Sequence, residues 1–218
     1  MERYAIQELY AWKDKKNRKP LILQGARQVG KTWLMQKFAK EAFRKSIYIN
    51  FESNDRLANL FEKDFDIRRI LFEIQLATGI QPDSDTLLLF DEIQEVHRGI
   101  TSLKYFCENA PEIPIIAAGS LLGIATHQND SFPVGKVNFM TLYPLSFWEF
   151  LDAMGKGQFV DVIRSQDWKM LEVFEDILQN LLRQYFIVGG MPEAVQTFVS
   201  NPDFRAVQKV HHSILTTY

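Results

Sequence analysis

Short apolar runs alternate along the sequence with longer stretches in which apolar residues recur every three or four positions. The runs predict five β-strands, over residues 21–24, 46–51, 87–90, 113–118 and 137–142. Most of the stretches between them predict amphipathic helices, because residues three or four apart share one face of a helix. Strands that alternate with helices are typical of α/β folds with a parallel sheet.

Two glycines, Gly155 and Gly157, interrupt the helical pattern that follows the last predicted strand. We therefore predict a sheet domain over residues 1–155 and a helical region over residues 156–218. The last helical pattern reaches Tyr218 without a terminator, so we expect a further region beyond it. Helices of the second region are predicted over residues 168–186 and 193–199 and from residue 203 onwards.

One stretch carries a distinctive arrangement of glycines. The first predicted strand leads into Gly-x-x-x-x-Gly-Lys-Thr, which comes directly before a predicted helix over residues 31–43. A strand before and a helix after are the context that a phosphate-binding loop requires. Glycines permit backbone angles at which loop amides converge on a phosphate, with the positive end of the helix dipole behind them. The predicted nucleotide contacts in this loop are Gly25, Ala26, Arg27, Gln28, Val29, Gly30, Lys31 and Thr32.

Three side chains at the start of that helix have individual predicted roles. Lys31 is expected to reach the β- and γ-phosphates as a point charge and to take part in catalysis. The Thr32 hydroxyl is expected to ligate Mg²⁺, a hard cation that prefers oxygen. Trp33 follows directly, and both contact with the adenine of a nucleotide and ordinary core burial are open for it.

A second motif follows the third predicted strand. This strand is an uninterrupted apolar run, typical of a central parallel strand buried on both faces, and it ends in Asp91 and Glu92. In nucleoside-triphosphate hydrolases the first acid of such a pair holds the Mg²⁺ shell and the second activates water. We therefore predict Asp91 as a metal residue and Glu92 as a catalytic residue. A kinase or a small GTPase needs one acid here, so the pair favours hydrolysis.

A small polar residue ends the fourth predicted strand. Ser120 follows Gly119 at the tip of that strand, where a hydroxyl can hydrogen-bond the γ-phosphate or the attacking water. Ser120 is therefore the candidate for a residue that senses the γ-phosphate, and a simple Gly-Ser turn is the alternative.

Composition narrows the class of protein. Over 218 residues, 46% are hydrophobic, 24% are charged and the net charge is −2, which gives no sign of a nucleic-acid or anionic-membrane partner. The single cysteine and the four histidines lack metal-ligand spacing, so nucleotide-bound Mg²⁺ is the metal we expect. No apolar run approaches a membrane span, and the amphipathic N-terminus is unlike a signal peptide. We expect a cytoplasmic protein without membrane contact.

Together these motifs resemble the bacterial and archaeal AAA+-superfamily P-loop ATPases of the AAA_14 family, which usually precede a DUF4143 domain. The resemblance is carried by strings spread from residue 20 to about residue 195: GARQVGKT, LLFDEIQ, AGS, YPLSFWEF and VGGMPE. It implies a three-layer α/β/α P-loop NTPase sandwich with a parallel sheet of order 5-1-4-3-2, followed by a small helical lid. It also implies ATP as the nucleotide and Ser120 as the sensor.

One departure from that family concerns a residue that could act in a neighbouring subunit. The family typically has a Gly-Arg pair before the fifth strand, where this chain has Gly135 and Lys136. If that arginine serves a neighbour's site, Lys136 can replace it only without bidentate geometry. Because arginine fingers contribute about 10³ to 10⁵ in rate, we expect slow turnover by this chain.

Partners are less closely defined than the nucleotide. A second copy of the chain and an unknown protein are both open as partners of an ATP- or ADP-bound form. Only the family resemblance suggests nucleic acid as a partner, because this sequence has no motif for reading or stacking on bases.

The sequence as a whole predicts an Mg²⁺-dependent ATP-binding protein that hydrolyses ATP slowly and acts as a nucleotide-driven switch. Two alternatives stay open. The first is a nucleotide-gated interaction module whose hydrolysis is negligible. The second is a P-loop kinase, which usually carries an arginine-rich lid, whereas only Arg164, Arg183 and Arg205 follow the predicted sheet.

Overall fold

The structure is a computed structural model. It describes residues 1–57, 59–120 and 133–216, except for the side chains of Asp55 and Ser120. None of the helices in these ranges is long and apolar enough to cross a membrane.

Two compact units make up the fold. The sheet unit is Ala5–Leu142, and the helical unit combines Met1–Tyr4 with Tyr143–Tyr218. Within the helical unit, the ring of Phe150 packs against that of Tyr185, with the two centroids 5.4 Å apart. The domain boundary predicted after residue 155 stays a prediction.

The sheet unit is built on a parallel β-sheet. Its described strands are β1 (Leu21–Gly25), β2 (Lys45–Asn50), β3 (Thr86–Asp91), β4 (Ile115–Ser120) and β5 (Asn138–Leu142). They lie in the order β2-β3-β4-β1-β5, and each neighbouring pair runs parallel. This is the predicted order 5-1-4-3-2 read from the opposite edge, so the predicted fold is confirmed.

Helices cover both faces of this sheet. Alternate residues of a strand point to opposite faces. Leu89 of β3 accordingly belongs to the same buried cluster as Leu34, whereas Phe90 packs against Phe106 with ring centroids 6.0 Å apart. Because both faces are covered, every residue of β3 is buried. The α-helices of the sheet unit within the described residues are α1 (Ile6–Lys13), α2 (Lys31–Ala42), α3 (Ile67–Thr78) and α4 (Gly99–Asn109).

The helical unit differs from its prediction in two places. The single helix predicted over residues 168–186 is wrong, because two helices meet at Phe174, whose φ of −106° and ψ of 12° are not helical. A further helix lies over residues 158–165, where the glycines predicted only a break. The helices of this unit are α5 (Phe147–Ala153), α6 (Gln158–Ser165), α7 (Trp168–Val173), α8 (Glu175–Val188), α9 (Pro192–Ser200) and α10 (Phe204–Thr216).

Candidate functional site

The loop between β1 and α2 begins and ends at positions that require glycine. A Cβ atom at Gly25 would collide with the carbonyl oxygen of Leu142, the last residue of β5. Gly30 has a φ of 94°, in the left-handed region, and is the N-cap of α2. The first amides of a helix have no carbonyl partner within it, so the start of α2 is suited to an anion.

Lys31 is buried within this loop, with 7% of the residue exposed. Its ammonium group donates to the carbonyl oxygens of Gly25, at 3.1 Å, and Ala26, at 2.9 Å. Burial lowers the pKa of Lys31, while the charges of Glu92 and Asp91 act in the opposite direction. An anionic ligand beside the ammonium would offset its desolvation, which is the property expected of a phosphate-binding lysine.

Asp91, at the end of β3, is where the two predicted motifs meet. Its carboxylate is buried, and Oδ2 accepts a hydrogen bond of 2.7 Å from the Thr32 hydroxyl. The Tyr48 hydroxyl donates to the same oxygen at 2.8 Å, and the Glu92 N–H donates to Oδ1 at 3.2 Å. Thr32 and Asp91 are thus in direct contact, although they lie 59 residues apart in the sequence.

Tyr48 lies on β2, the edge strand beside β3. Its neighbours Ile47 and Ile49 are buried, whereas Tyr48 lies on the other face of the strand and is 38% exposed. Partial burial and the hydrogen bond to Asp91 raise the pKa of Tyr48 to about 12. Its phenol group is therefore a hydrogen-bond donor at neutral pH.

Glu92 follows β3 directly in a left-handed backbone conformation, with φ of 49° and ψ of 45°. Such a conformation costs a residue other than glycine about 1–3 kcal/mol. The carboxylate Oε2 of Glu92 accepts a hydrogen bond of 2.6 Å from the side-chain amide of Gln94, which also donates to Glu95 at 3.3 Å. Gln94 is 8% exposed, and its Oε1 has no hydrogen-bond partner within the described residues.

Both predicted motifs line one open cavity of about 470 Å³. This volume is in the usual range for small-ligand sites, about 300–1,000 Å³. Trp33 forms part of the wall and is 44% exposed, with the Lys37 ammonium 5.3 Å from its ring centroid, so it is not a core residue. The wall consists of Arg27, Gln28, Gly30, Lys31, Thr32, Trp33, Glu52, Glu92 and Glu95.

The residues present fit a magnesium nucleotide. A hydroxyl and a carboxylate, those of Thr32 and Asp91, are oxygen ligands of the kind that Mg²⁺ prefers. The buried ammonium of Lys31 and the amides at the start of α2 suit phosphate groups.

Two further residues were predicted for the site, Ser120 and Lys136. Ser120 ends β4 level with Gly25, at the same edge of the sheet, but the predicted sensing role depends on a side chain that lies outside the described part of the structure. Lys136 comes before β5, whose first residue is level with the first residue of β1. Lys136 therefore lies at the amino ends of the strands, whereas the cavity lies at their carboxyl ends. There its ammonium pairs with Glu108 Oε1 at 2.9 Å. Within one copy, Lys136 is not brought to the cavity.

Sequence reasoning misses two polar residues that contact the acids, Tyr48 and Gln94. The predicted sheet order already places β2 beside β3. Tyr48 lies two residues before Asn50, the last residue of β2, so the two side chains share one face of the sheet. Because Asn50 is level with Asp91, this spacing is a usable signal that Tyr48 lies on the same face as Asp91. Gln94 is two residues beyond Glu92, and nothing in that spacing indicates a turn that brings their side chains together.

Comparison with known protein families gives a match to the larger part of the chain. Residues 17–151, more than half of the sequence, match the AAA_14 family, described as AAA domain. The matched residues include the loop of residues 25–32, both acids and all five described strands. No curated protein matches the chain in sequence.

Three solved structures are similar to the chain at low sequence identity, and only the first of them has a TM-score above 0.5. The Walker-type ATPase Paby2304 of Pyrococcus abyssi has a TM-score of 0.53 at 17% identity, covering 94% of this chain and 69% of its own. PCH-2 of C. elegans has a TM-score of 0.47 at 12% identity, covering 94% and 66%. The Orc1 protein of Aeropyrum pernix, solved in complex with DNA, has a TM-score of 0.46 at 13% identity, covering 71% and 48%.

Proposed function

The chain belongs to the AAA-domain family of P-loop ATPases, and from that membership we propose that it binds ATP with Mg²⁺ and hydrolyses it slowly to ADP and phosphate. One observation carries the proposal: the Thr32 hydroxyl contacts the Asp91 carboxylate at 2.7 Å, beside a cavity that Lys31 and Glu92 both line. Each predicted motif therefore contributes residues to one place.

Nucleotide binding is assigned to the loop and the start of α2. Lys31 moves its hydrogen bonds from the loop carbonyls to the β- and γ-phosphates, which replace the acceptors that it has in the loop. Thr32 and Asp91 would hold Mg²⁺, and the bound ion would neutralise charge on the phosphate oxygens. Trp33, on the wall of the same cavity, is the candidate contact for the adenine.

Hydrolysis is assigned to Glu92, which lines the cavity that Lys31 also lines. The oxygen of a water molecule attacks the γ-phosphorus while the bond from that phosphorus to the bridging oxygen of ADP breaks. The bridging oxygen keeps the electron pair, and the Glu92 carboxylate accepts the proton that the water loses. Ser120, at the end of β4, is the candidate to hydrogen-bond the γ-phosphate.

Replacing the proposed base tests this assignment. Glu92→Gln keeps the size of the side chain but cannot accept the proton, so phosphate release should slow by about 10²- to 10⁴-fold. ATP binding, measured by calorimetry, should persist. Glu73→Gln is the matched control, because Glu73 pairs with Arg69 at 2.7 Å on α3 and is not among the residues that line the cavity, so its phosphate release should match wild type. Unchanged turnover in Glu92→Gln would remove Glu92 from the mechanism.

A nucleotide-gated interaction module is the second candidate function. It is favoured by the hydrogen bond of 2.6 Å from Gln94, which occupies one oxygen of the proposed base. In such a module the ATP-bound form itself would control a protein partner, and hydrolysis would be negligible. Single-turnover measurement separates the two candidates: an ATPase releases phosphate from its bound ATP, whereas the module releases intact ATP.

A further inference from the structure

The hydroxyl of Tyr48 reaches the carboxylate at the centre of the site, yet the proposed function gives it no role. β2 and β3 run parallel, with Tyr48 level with Leu89 and Asn50 level with Asp91. Side chains two residues apart on a strand share a face, so Tyr48 lies on the face that carries Asp91. From there its hydroxyl donates to Asp91 Oδ2 at 2.8 Å.

The hydrogen bonds to Asp91 leave little of its carboxylate open. An ionised carboxylate has about four acceptor positions, two on each oxygen. Thr32 and Tyr48 both donate to Oδ2, and the Glu92 N–H donates to Oδ1. Among the described contacts, one acceptor position therefore remains, and it is on Oδ1.

We propose that Tyr48 is a positioning residue for magnesium, a role that rests on the proposed binding of ATP. By occupying Oδ2, the Tyr48 hydroxyl fixes the rotation of the Asp91 carboxylate. Oδ1 is then the oxygen that is open to the metal or to a water molecule bound to it. Hydrogen-bond partners of metal-binding side chains have this orienting effect in other metal sites.

A purely structural role for the hydroxyl makes a different prediction. A buried carboxylate needs hydrogen bonds whether or not a metal binds, so losing one would lower stability and weaken nucleotide binding equally with and without Mg²⁺. However, Tyr48 is 38% exposed, and Asp91 retains Thr32 and the Glu92 N–H as donors. We therefore expect loss of the hydroxyl to weaken only the part of the affinity that depends on magnesium.

The experiment is calorimetric titration of a non-hydrolysable ATP analogue into Tyr48→Phe protein, once with Mg²⁺ and once with EDTA. The gain in affinity that Mg²⁺ gives the wild type should shrink by about 10- to 100-fold in this variant. The affinity in EDTA and the urea midpoint should not change. Tyr10→Phe is the matched control, because it removes another phenol-to-carboxylate hydrogen bond in the same unit, 3.4 Å from Tyr10 to Glu41, and should leave both affinities unchanged.

A second variant tests whether Tyr48 acts through Asp91. Asp91→Asn should itself reduce the gain from Mg²⁺, and adding Tyr48→Phe to it should then cost nothing more. Independent effects would instead add, since separate sites contribute separately to the binding free energy. Additive losses would overturn the proposal.

The outcomes distinguish this inference from the function on which it rests. If the wild type binds no analogue in either buffer, the proposed function fails, and this inference fails with it. If wild type and Tyr48→Phe gain equally from Mg²⁺, this inference alone fails. If Tyr48→Phe does not fold, the hydroxyl belongs to stability, and the inference is overturned as well.

Discussion

At the scale of single residues, Gln94 combines a contact to the proposed base with an unsatisfied buried atom. Its amide holds Glu92 Oε2 at 2.6 Å, while its own Oε1 has no partner within the described residues. An unsatisfied buried acceptor costs about 1–3 kcal/mol. Positions that break a local rule in this way are commonly functional, so we interpret Gln94 as a residue kept for the orientation of Glu92.

Gln94→Met tests this interpretation, because Met has a similar length but no amide. The variant loses the hydrogen bond to Glu92 and also the unsatisfied oxygen, so the free energy of unfolding should change by less than about 1 kcal/mol. Phosphate release should nevertheless slow by about 10- to 100-fold, because the proposed base is no longer held in place. Urea unfolding and single-turnover phosphate release are the two measurements.

Gln179→Met is the matched control for this substitution. Gln179 donates to Glu175 at 2.7 Å on the exposed surface of α8, so the same pair of groups is broken in the helical unit. Its phosphate release should match wild type. Equal turnover in Gln94→Met and wild type would show that Gln94 does not orient Glu92.

The residues of the site were predictable where their signal is local in the sequence. The loop of residues 25–32 and the acids after β3 are each spelled in one continuous string, so their types and spacing suffice. Tyr48 depends on the pairing register of two strands, and Gln94 depends on the left-handed turn at Glu92, which no glycine marks. Register and side-chain orientation are set by tertiary packing, which a single sequence does not state.

At the scale of elements, local signals again separate the correct predictions from the errors. The sequence signal for the end of α3 is a glycine, Gly79, since helices commonly end at a glycine, and in the structure this residue has a left-handed φ of 73°. The break between α7 and α8 was not, because Phe174 leaves the helical pattern while its ring packs 5.7 Å from that of Phe159 on α6. Helical periodicity reports an apolar face but not the neighbour that the face meets.

Within the helical unit, a buried ion pair attaches the N-terminal segment Met1–Tyr4 to the rest of the unit. Arg3 Nε donates to Glu149 Oε1 at 3.0 Å, and both side chains are almost fully buried. Glu149 also accepts from the N–H of Tyr4 and, at its other oxygen, from the N–H of Ser146, each at 2.8 Å. The carboxylate thus connects the segment to the start of α5.

Removal of the cation should therefore destabilise the helical unit. Arg3→Ala leaves the Glu149 carboxylate buried without a counter-charge, and breaking such a pair costs about 3–5 kcal/mol. We expect the lower end of this range, because the two N–H donors remain. Urea unfolding followed by circular dichroism measures the loss. Lys45→Ala is the control, since its pair with Asp83 at 2.6 Å is largely exposed and should contribute less than about 1 kcal/mol. Equal losses in the two variants would contradict the prediction.

At the scale of the whole molecule, the candidate site and Lys136 lie at opposite ends of the strands of the parallel sheet. The loop of residues 25–32 and both acids lie at the carboxyl ends of β1 and β3, which is the usual place for ligand sites in parallel sheets. The strand order that creates this arrangement could not be read from periodicity, because apolar runs do not state which strands are neighbours. It was predictable only from resemblance to a family. Lys136 lies at the amino edge, paired with Glu108, and so any role in hydrolysis requires a second copy of the chain.

That requirement can be tested by mixing two variants, each of which lacks one of the two lysines. Lys31→Ala should lose nucleotide binding but keep Lys136, whereas Lys136→Ala keeps the nucleotide site but lacks the cation. If Lys136 acts in a neighbouring site, a mixture of the two should hydrolyse ATP faster than either alone, because mixed assemblies combine one intact site with one intact cation. The specific activity of the wild type should then also rise with protein concentration, because more of the chain is assembled. The Lys136→Arg variant should hydrolyse ATP faster than the wild type, since arginine contacts phosphate in bidentate geometry. Turnover that is independent of concentration, with no recovery in the mixture, would confine the reaction to a single copy and leave Lys136 to its ion pair with Glu108.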